Sequence, residues 1–158
     1  MIGQLLRSFL LTDTAIAALA DEVAVGFIPT DADGNLQVET YIWLSNFSEE
    51  DSLALDGTNA GLTEYRFDVE CCSTSISEAK QLARLVKKLL QGFGPSAAFG
   101  TVTPTGGGAI PGRVAACYIT SKDDTYTAIN SFINDDITVV AQDLTIFADD
   151  SQDDIIGA

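Results

Sequence analysis

The sequence predicts an α+β domain: a largely antiparallel sheet of about four to five strands, an N-terminal helical segment, and one long amphipathic helix packed on one sheet face. Three observations predict it. From Leu62 to Cys72, Tyr65, Phe67, Val69 and Cys71 alternate with Glu64, Arg66, Asp68 and Glu70, the period of a half-buried strand. That strand runs directly into a capped helical stripe of Ile76, Ala79, Leu82, Ala83, Val86, Leu89 and Leu90. The remaining strand-like runs lie on either side of this block, after a helical start, and no internal repeat is visible.

The elements follow in order. Ile2, Leu5, Leu6, Phe9 and Leu10 recur at helical spacing, and Thr12 or Asp13 can cap a short second helix over Thr14–Ala20. Val23–Ile28 reads as a strand. Asp31-Ala-Asp-Gly-Asn35 reads as a turn, with Asp-Gly as a hairpin signal. Glu39–Phe47, rich in β-branched and aromatic residues, is the next strand, and Ser48–Gly61 is a polar, acidic loop. Ser75 and Glu78 form a capping box at the head of the long helix, and Gly92 is a C-cap. Residues 92–112 hold 7 of the 13 glycines and 3 of the 4 prolines, a flexible connector by composition. Arg113–Ser121 is a strand, Thr125–Ile133 a short helix or a loop, and Ile137–Ala148 a closing strand. Residues 1–148 form one domain, and 149–158 an acidic tail.

With 158 residues, 46% hydrophobic and 20% charged, the chain can bury a real core. Its 8 basic and 23 acidic residues leave a net charge of −15, which argues against wrapping nucleic acid or binding an anionic membrane. Gln4, Arg7, Ser8 and Asp13 interrupt the N-terminal apolar run, so a helix accounts for it better than a signal peptide, and nothing approaches a membrane span. Cys71, Cys72 and Cys117 give an odd count without metal-ligand spacing. Adjacent strand residues face opposite ways, so Cys71 and Cys72 are expected as reduced, structural thiols of a protein made in a cytoplasm.

Chemistry-bearing motifs are sparse. With no histidine, the Ser-His-Asp and Cys-His triads and every His-bearing metal site are absent. Ser77-Glu-Ala-Lys80 matches S-x-x-K but has neither an S-D-N nor a K-T-G companion, so an exposed helical turn is expected there. Asp31-x-Asp33-Gly34-Asn35 lacks the glycine and glutamate positions of a calcium loop. Paired aspartates at 123–124, 135–136, 149–150 and 153–154 read as solvated loop charge. Gly106-Gly107-Gly108 is not followed by Lys-Ser/Thr and is no P-loop. No catalytic residue, metal ligand or cofactor is assigned.

The positive charge is more organised. Lys80, Arg84, Lys87 and Lys88 are half of all basic residues and share one helix face. Residues 143–158 carry five aspartates and no base. A molecule this acidic repels its own copies unless complementary charge is placed at their contact, which makes the stripe a candidate subunit interface.

The order of elements resembles the phage tail-completion, or tail-terminator, family. The resemblance rests on the N-terminal IGQLLRSFLLTDTAIAALA, the strand TYIWLS, the G-L-x-x-Y-R-F-D-V-E-C strand, the S-x-x-E-A-x-x-L-A helix, and the later RVAACYITSKDDTY and DITVVAQDLTIFA. It covers most of residues 1–148, departing at 92–112, near 48–58 and after Asp149. It implies a non-enzymatic virion protein at the head–tail junction, a hexameric ring that caps the tail tube, meets the head connector and lets DNA pass through its lumen. Gly100, Pro104, Gly106, Gly107, Gly108 and Pro111 are then candidates for a docking loop. A ring would also close sheet edges between neighbours. A head-completion or neck adaptor is the nearest alternative, and a small acidic ligand- or calcium-binding module a more distant one.

Overall fold

The structure, a computed structural model, describes residues 2–28, 30–53, 59–91, 98–102, 110–129 and 136–149. Three helices and six strands follow one another: α1 (Ile2–Thr12), α2 (Thr14–Leu19), β1 (Glu22–Val25), β2 (Thr40–Leu53), β3 (Asn59–Ser73), α3 (Ile76–Leu90), β4 (Ala98–Val102), β5 (Ile110–Ile129) and β6 (Asp136–Asp149). One mixed sheet takes the order β1-β2-β3-β6-β5-β4. Every pair is antiparallel except β1 with β2. The α+β architecture is the one expected.

Alternation along β3 sorts the core. Tyr65, Phe67, Val69 and Cys71 are buried with Ile42, Leu44, Leu144 and Ile146 beneath the helices. Leu5, Leu6, Phe9 and Leu10 of α1, Ile16 of α2, and Leu82, Ala83, Val86 and Leu90 of α3 supply the other half. Asp13 caps α2 by accepting from the amides of Ala15 and Ile16. A smaller cluster of Tyr41, Cys72, Ile137 and Val139 lies on the opposite face, packed by Ile28, Leu36 and Val38 from the segment before β2. Cys71 and Cys72 therefore enter different clusters, and all three cysteines are free and buried. Burial pushes the Cys71 thiol well up and those of Cys72 and Cys117 up to about 12.

α1 packs against both β1 and β4, the two edge strands, so the sheet curls around it. Gly3 permits the approach to β1, because a Cβ there would lie 2.9 Å from Val25 Cγ1. Arg7 then blunts the β1 edge. Its Nε donates to the Val23 carbonyl at 2.9 Å and its Nη2 to Glu22 at 2.9 Å, while Glu22 accepts from the Val23 amide at 3.0 Å. Neither polar group of Val23 is left for an added strand. At Val23 the β1 edge is thus closed within the chain.

Four expectations are corrected. The Asp-Gly turn exists, with Gly34 at φ +82° and a single antiparallel bridge between Thr30 and Leu36 across it, but it does not join β1 and β2 as a hairpin. β1 and β2 run parallel, and Asp21 ties them by giving its amide to the Thr40 carbonyl while its carboxylate accepts from the amides of Glu39 and Thr40. Of the acidic loop expected at 48–61, Ser48–Leu53 instead extends β2 and Asn59–Gly61 opens β3, and 54–58 lie outside the described residues. Charged side chains are tolerated there because one face of an antiparallel sheet can meet water. The connector at 92–112 contains strand: Ala98–Val102 forms β4, and Ile110–Gly112 opens β5. Thr125–Ile129, expected as helix or loop, continues β5 opposite Asp136–Val140 after an irregularity between Ser121 and Thr125. Gly92 lies outside the described residues.

Candidate functional site

α3 begins at Ser75, whose hydroxyl accepts from the Glu78 amide at 3.5 Å. The reciprocal half of the expected capping box does not form. Glu78 Oε2 accepts from the hydroxyls of Thr40 and Ser73, each at 3.1 Å, and Ser73 Oγ takes the Ser75 amide at 3.0 Å. The first turn of α3 is thereby fastened to the ends of β2 and β3, which sets where its outer face points.

That outer face carries Lys80, Arg84, Lys87 and Lys88, all exposed. Three of the four converge on one feature. Lys80, Arg84 and Lys87 line a groove of about 160 Å³ with Ala83 of the helix and Val140 and Gln142 of β6. Lys88 is not part of its lining. Elsewhere Arg7 pairs with Glu22 and Arg66 with Glu64.

Gln142 is the site residue that the sequence reading missed. It is 1% exposed, and its Nε2 donates to the Ala83 carbonyl at 3.1 Å. Its Oε1 has no hydrogen-bond partner among the described residues. A buried, unmet acceptor carries a free-energy penalty of about 1–3 kcal/mol. A signal was present: β6 alternates Val140, Gln142, Leu144, Ile146 on its core side, and Gln142 is the one polar member of that row.

The opposite sheet face bears the other sign. Glu50, Glu64, Asp68, Glu70 and Asp143 sit on its uncovered part, with Arg66 among them. Asp68 and Asp143 are direct cross-strand neighbours, an arrangement of like charges that disfavours the isolated sheet. A groove of about 430 Å³ runs there, lined in part by Ser48, Arg66, Asp68, Asp143 and Thr145. α3 and this acidic surface therefore occupy opposite faces of the same sheet.

The remaining candidates carry less. Ser77 is exposed on the first helical turn, and no hydrogen bond joins it to Lys80 among the described residues. Asp31 closes its turn by accepting from the amides of Asp33 and Asn35 and the Asn35 side chain. Those bonds, the Asn35 side chain foremost, hold its carboxyl below the ordinary range. Among the described residues no group of three or more potential metal ligands converges, and no helix is long and apolar enough to cross a membrane. Gly100 falls within β4, and Pro111 within β5 opposite Thr101. Pro104, Gly106, Gly107 and Gly108 lie outside the described residues.

The family model for tail completion protein gp17 matches residues 4–128, from α1 through nearly all of β5. The chain belongs to the tail completion protein gp17 family. A chain from the virion of a native gene transfer agent particle shares the fold, with a TM-score of 0.63 at 15% identity over 94% of both chains. No curated protein matches the sequence. Membership of a tail completion family makes this a structural component of the virion tail region rather than a member of an enzyme class.

Proposed function

We propose that this tail completion protein closes into a ring, a hexamer as first expected, on the head-proximal end of the tail tube. It joins the tube to the head connector, and DNA passes through the lumen without specific binding. The single observation that carries this reading is the family match across residues 4–128. Two physical features support it. The net charge of −15 would repel the phosphate backbone and let DNA slide rather than stick. Four of the eight basic residues also lie together and exposed on α3, where a contact between acidic subunits needs them.

In this reading Lys80, Arg84, Lys87 and Lys88 lie at the subunit contact. The segment 92–112, with Gly100, Pro104, Gly106, Gly107, Gly108 and Pro111, is the docking loop that meets the tube or the connector. The test is the mass of the purified protein alone and after mixing with tail tubes that lack it. A closed oligomer that co-sediments with tubes is expected. A monomer in both conditions contradicts the proposal.

A further inference from the structure

We infer that the groove of α3 and β6 is a docking site for the acidic sheet face of a second copy of this chain, so that the subunits stack helix face to sheet face around the ring. The inference rests on the ring reading above and adds the contact that builds it.

The occupant is identified by the chemistry of the groove. Lys80 and Arg84 along its lining, with Lys87 beside them, make the groove positive and suit carboxylates. The buried Oε1 of Gln142, without a partner among the described residues, calls for a hydrogen-bond donor in the same place. A phosphodiester backbone supplies charge but no donor, so duplex DNA fits only half of this demand. The open sheet face supplies both: Asp68 and Asp143 side by side, with the hydroxyl-bearing Ser48 and Thr145 around the same groove.

The geometry favours a ring over a symmetric dimer. The two complementary surfaces lie on opposite faces of one sheet, so each copy can engage two neighbours head to tail. Such contacts close into a ring when the rotation per subunit allows it.

A mixing experiment tests the contact. One variant carries Lys80→Glu with Arg84→Glu, and another carries Asp68→Lys with Asp143→Lys. Each alone sets like charge against like and is expected to associate at least tenfold more weakly than the unmodified chain, with unchanged circular dichroism. Mixed in equal amounts, every helix-to-sheet contact becomes complementary again, and assembly is expected to return as an alternating oligomer. Gln142→Leu, which removes the unmet acceptor without altering charge, is expected to fold as stably as the parent or more so, yet to associate more weakly. Unchanged association of the charge variants, or a mixture that stays monomeric although both variants are folded, overturns the contact. So does salt-sensitive duplex binding by the unmodified chain that the Lys80/Arg84 variant loses. If the unmodified protein still caps tubes in those cases, the ring reading stands and only the contact falls. If it is monomeric with and without tubes, both fall.

Discussion

Single residues in this chain are placed by whether water can reach them. The three thiols lie in the two apolar clusters, where ionisation is penalised, and their pKa values are pushed up accordingly. The linkage has a definite sign. An unfolded thiol ionises near 9.0, whereas the folded Cys72 and Cys117 thiols do so at about 12. Stability is therefore whole below pH ~9 and falls as pH rises from there toward ~12, because only the unfolded state sheds its proton in that window. Denaturant titrations at pH 7.5 and 10.5 should show the loss, with a smaller loss in Cys117→Ala than in the parent. At neutral pH a thiol reagent is expected to label the native protein only as fast as it opens. The cysteines were legible as unbonded from adjacency alone. Gln142 was not, because the core side of a strand is read by its majority, and one polar residue in an apolar row looks like noise until its partner is sought.

At the level of elements, alternation and capping foretold most of what forms. β3, α3 and α1 stand where the periodicity put them, because each buries its own stripe and little else decides its course. The failures share a cause. Strands with weak local preference were fixed by their partners: Ala98–Val102 by β5, Thr125–Ile129 by β6, and the charged end of β2 by β3. The Asp-Gly turn misled because turn chemistry fixes a local reversal and not the direction of the strand beyond it. Two fastenings were likewise invisible in sequence, since each joins residues far apart in the chain. Arg7 holds the β1 edge, and Arg7→Ala is expected to lower stability by about 1 kcal/mol, the scale of a partly exposed charged hydrogen bond. Arg7→Lys should recover only part of this, because lysine lacks the fork that reaches Glu22 and Val23 together. Glu78 holds the head of α3 to Thr40 and Ser73. Glu78→Ala leaves both hydroxyls without their shared acceptor, and a loss of about 1–2 kcal/mol is expected. Thermal melts of these variants measure both effects.

For the whole molecule the governing quantity is the distribution of charge. A chain at −15 repels its copies over a range set by salt, while the groove and the sheet face attract only on contact. Self-association should accordingly strengthen from about 10 mM to about 150 mM salt, as the Debye length shrinks from roughly 30 Å to 8 Å and the long-range repulsion is screened. It should weaken again near 1 M, where the length of about 3 Å reaches the contact itself. Sedimentation at those three ionic strengths reads the maximum, and a monotonic decline would mean that contact attraction dominates at every range. With the β1 edge blunted at Val23 by Arg7, the proposed surfaces for assembly are the α3–β6 groove and the acidic sheet face. Membership of the tail completion family places the protein in the virion tail region. The most direct measurement is electron microscopy of particles produced without this chain. Packaged heads and finished tails lying unjoined are expected, with joining restored by the purified protein. Complete particles formed at normal yield in its absence would contradict the account.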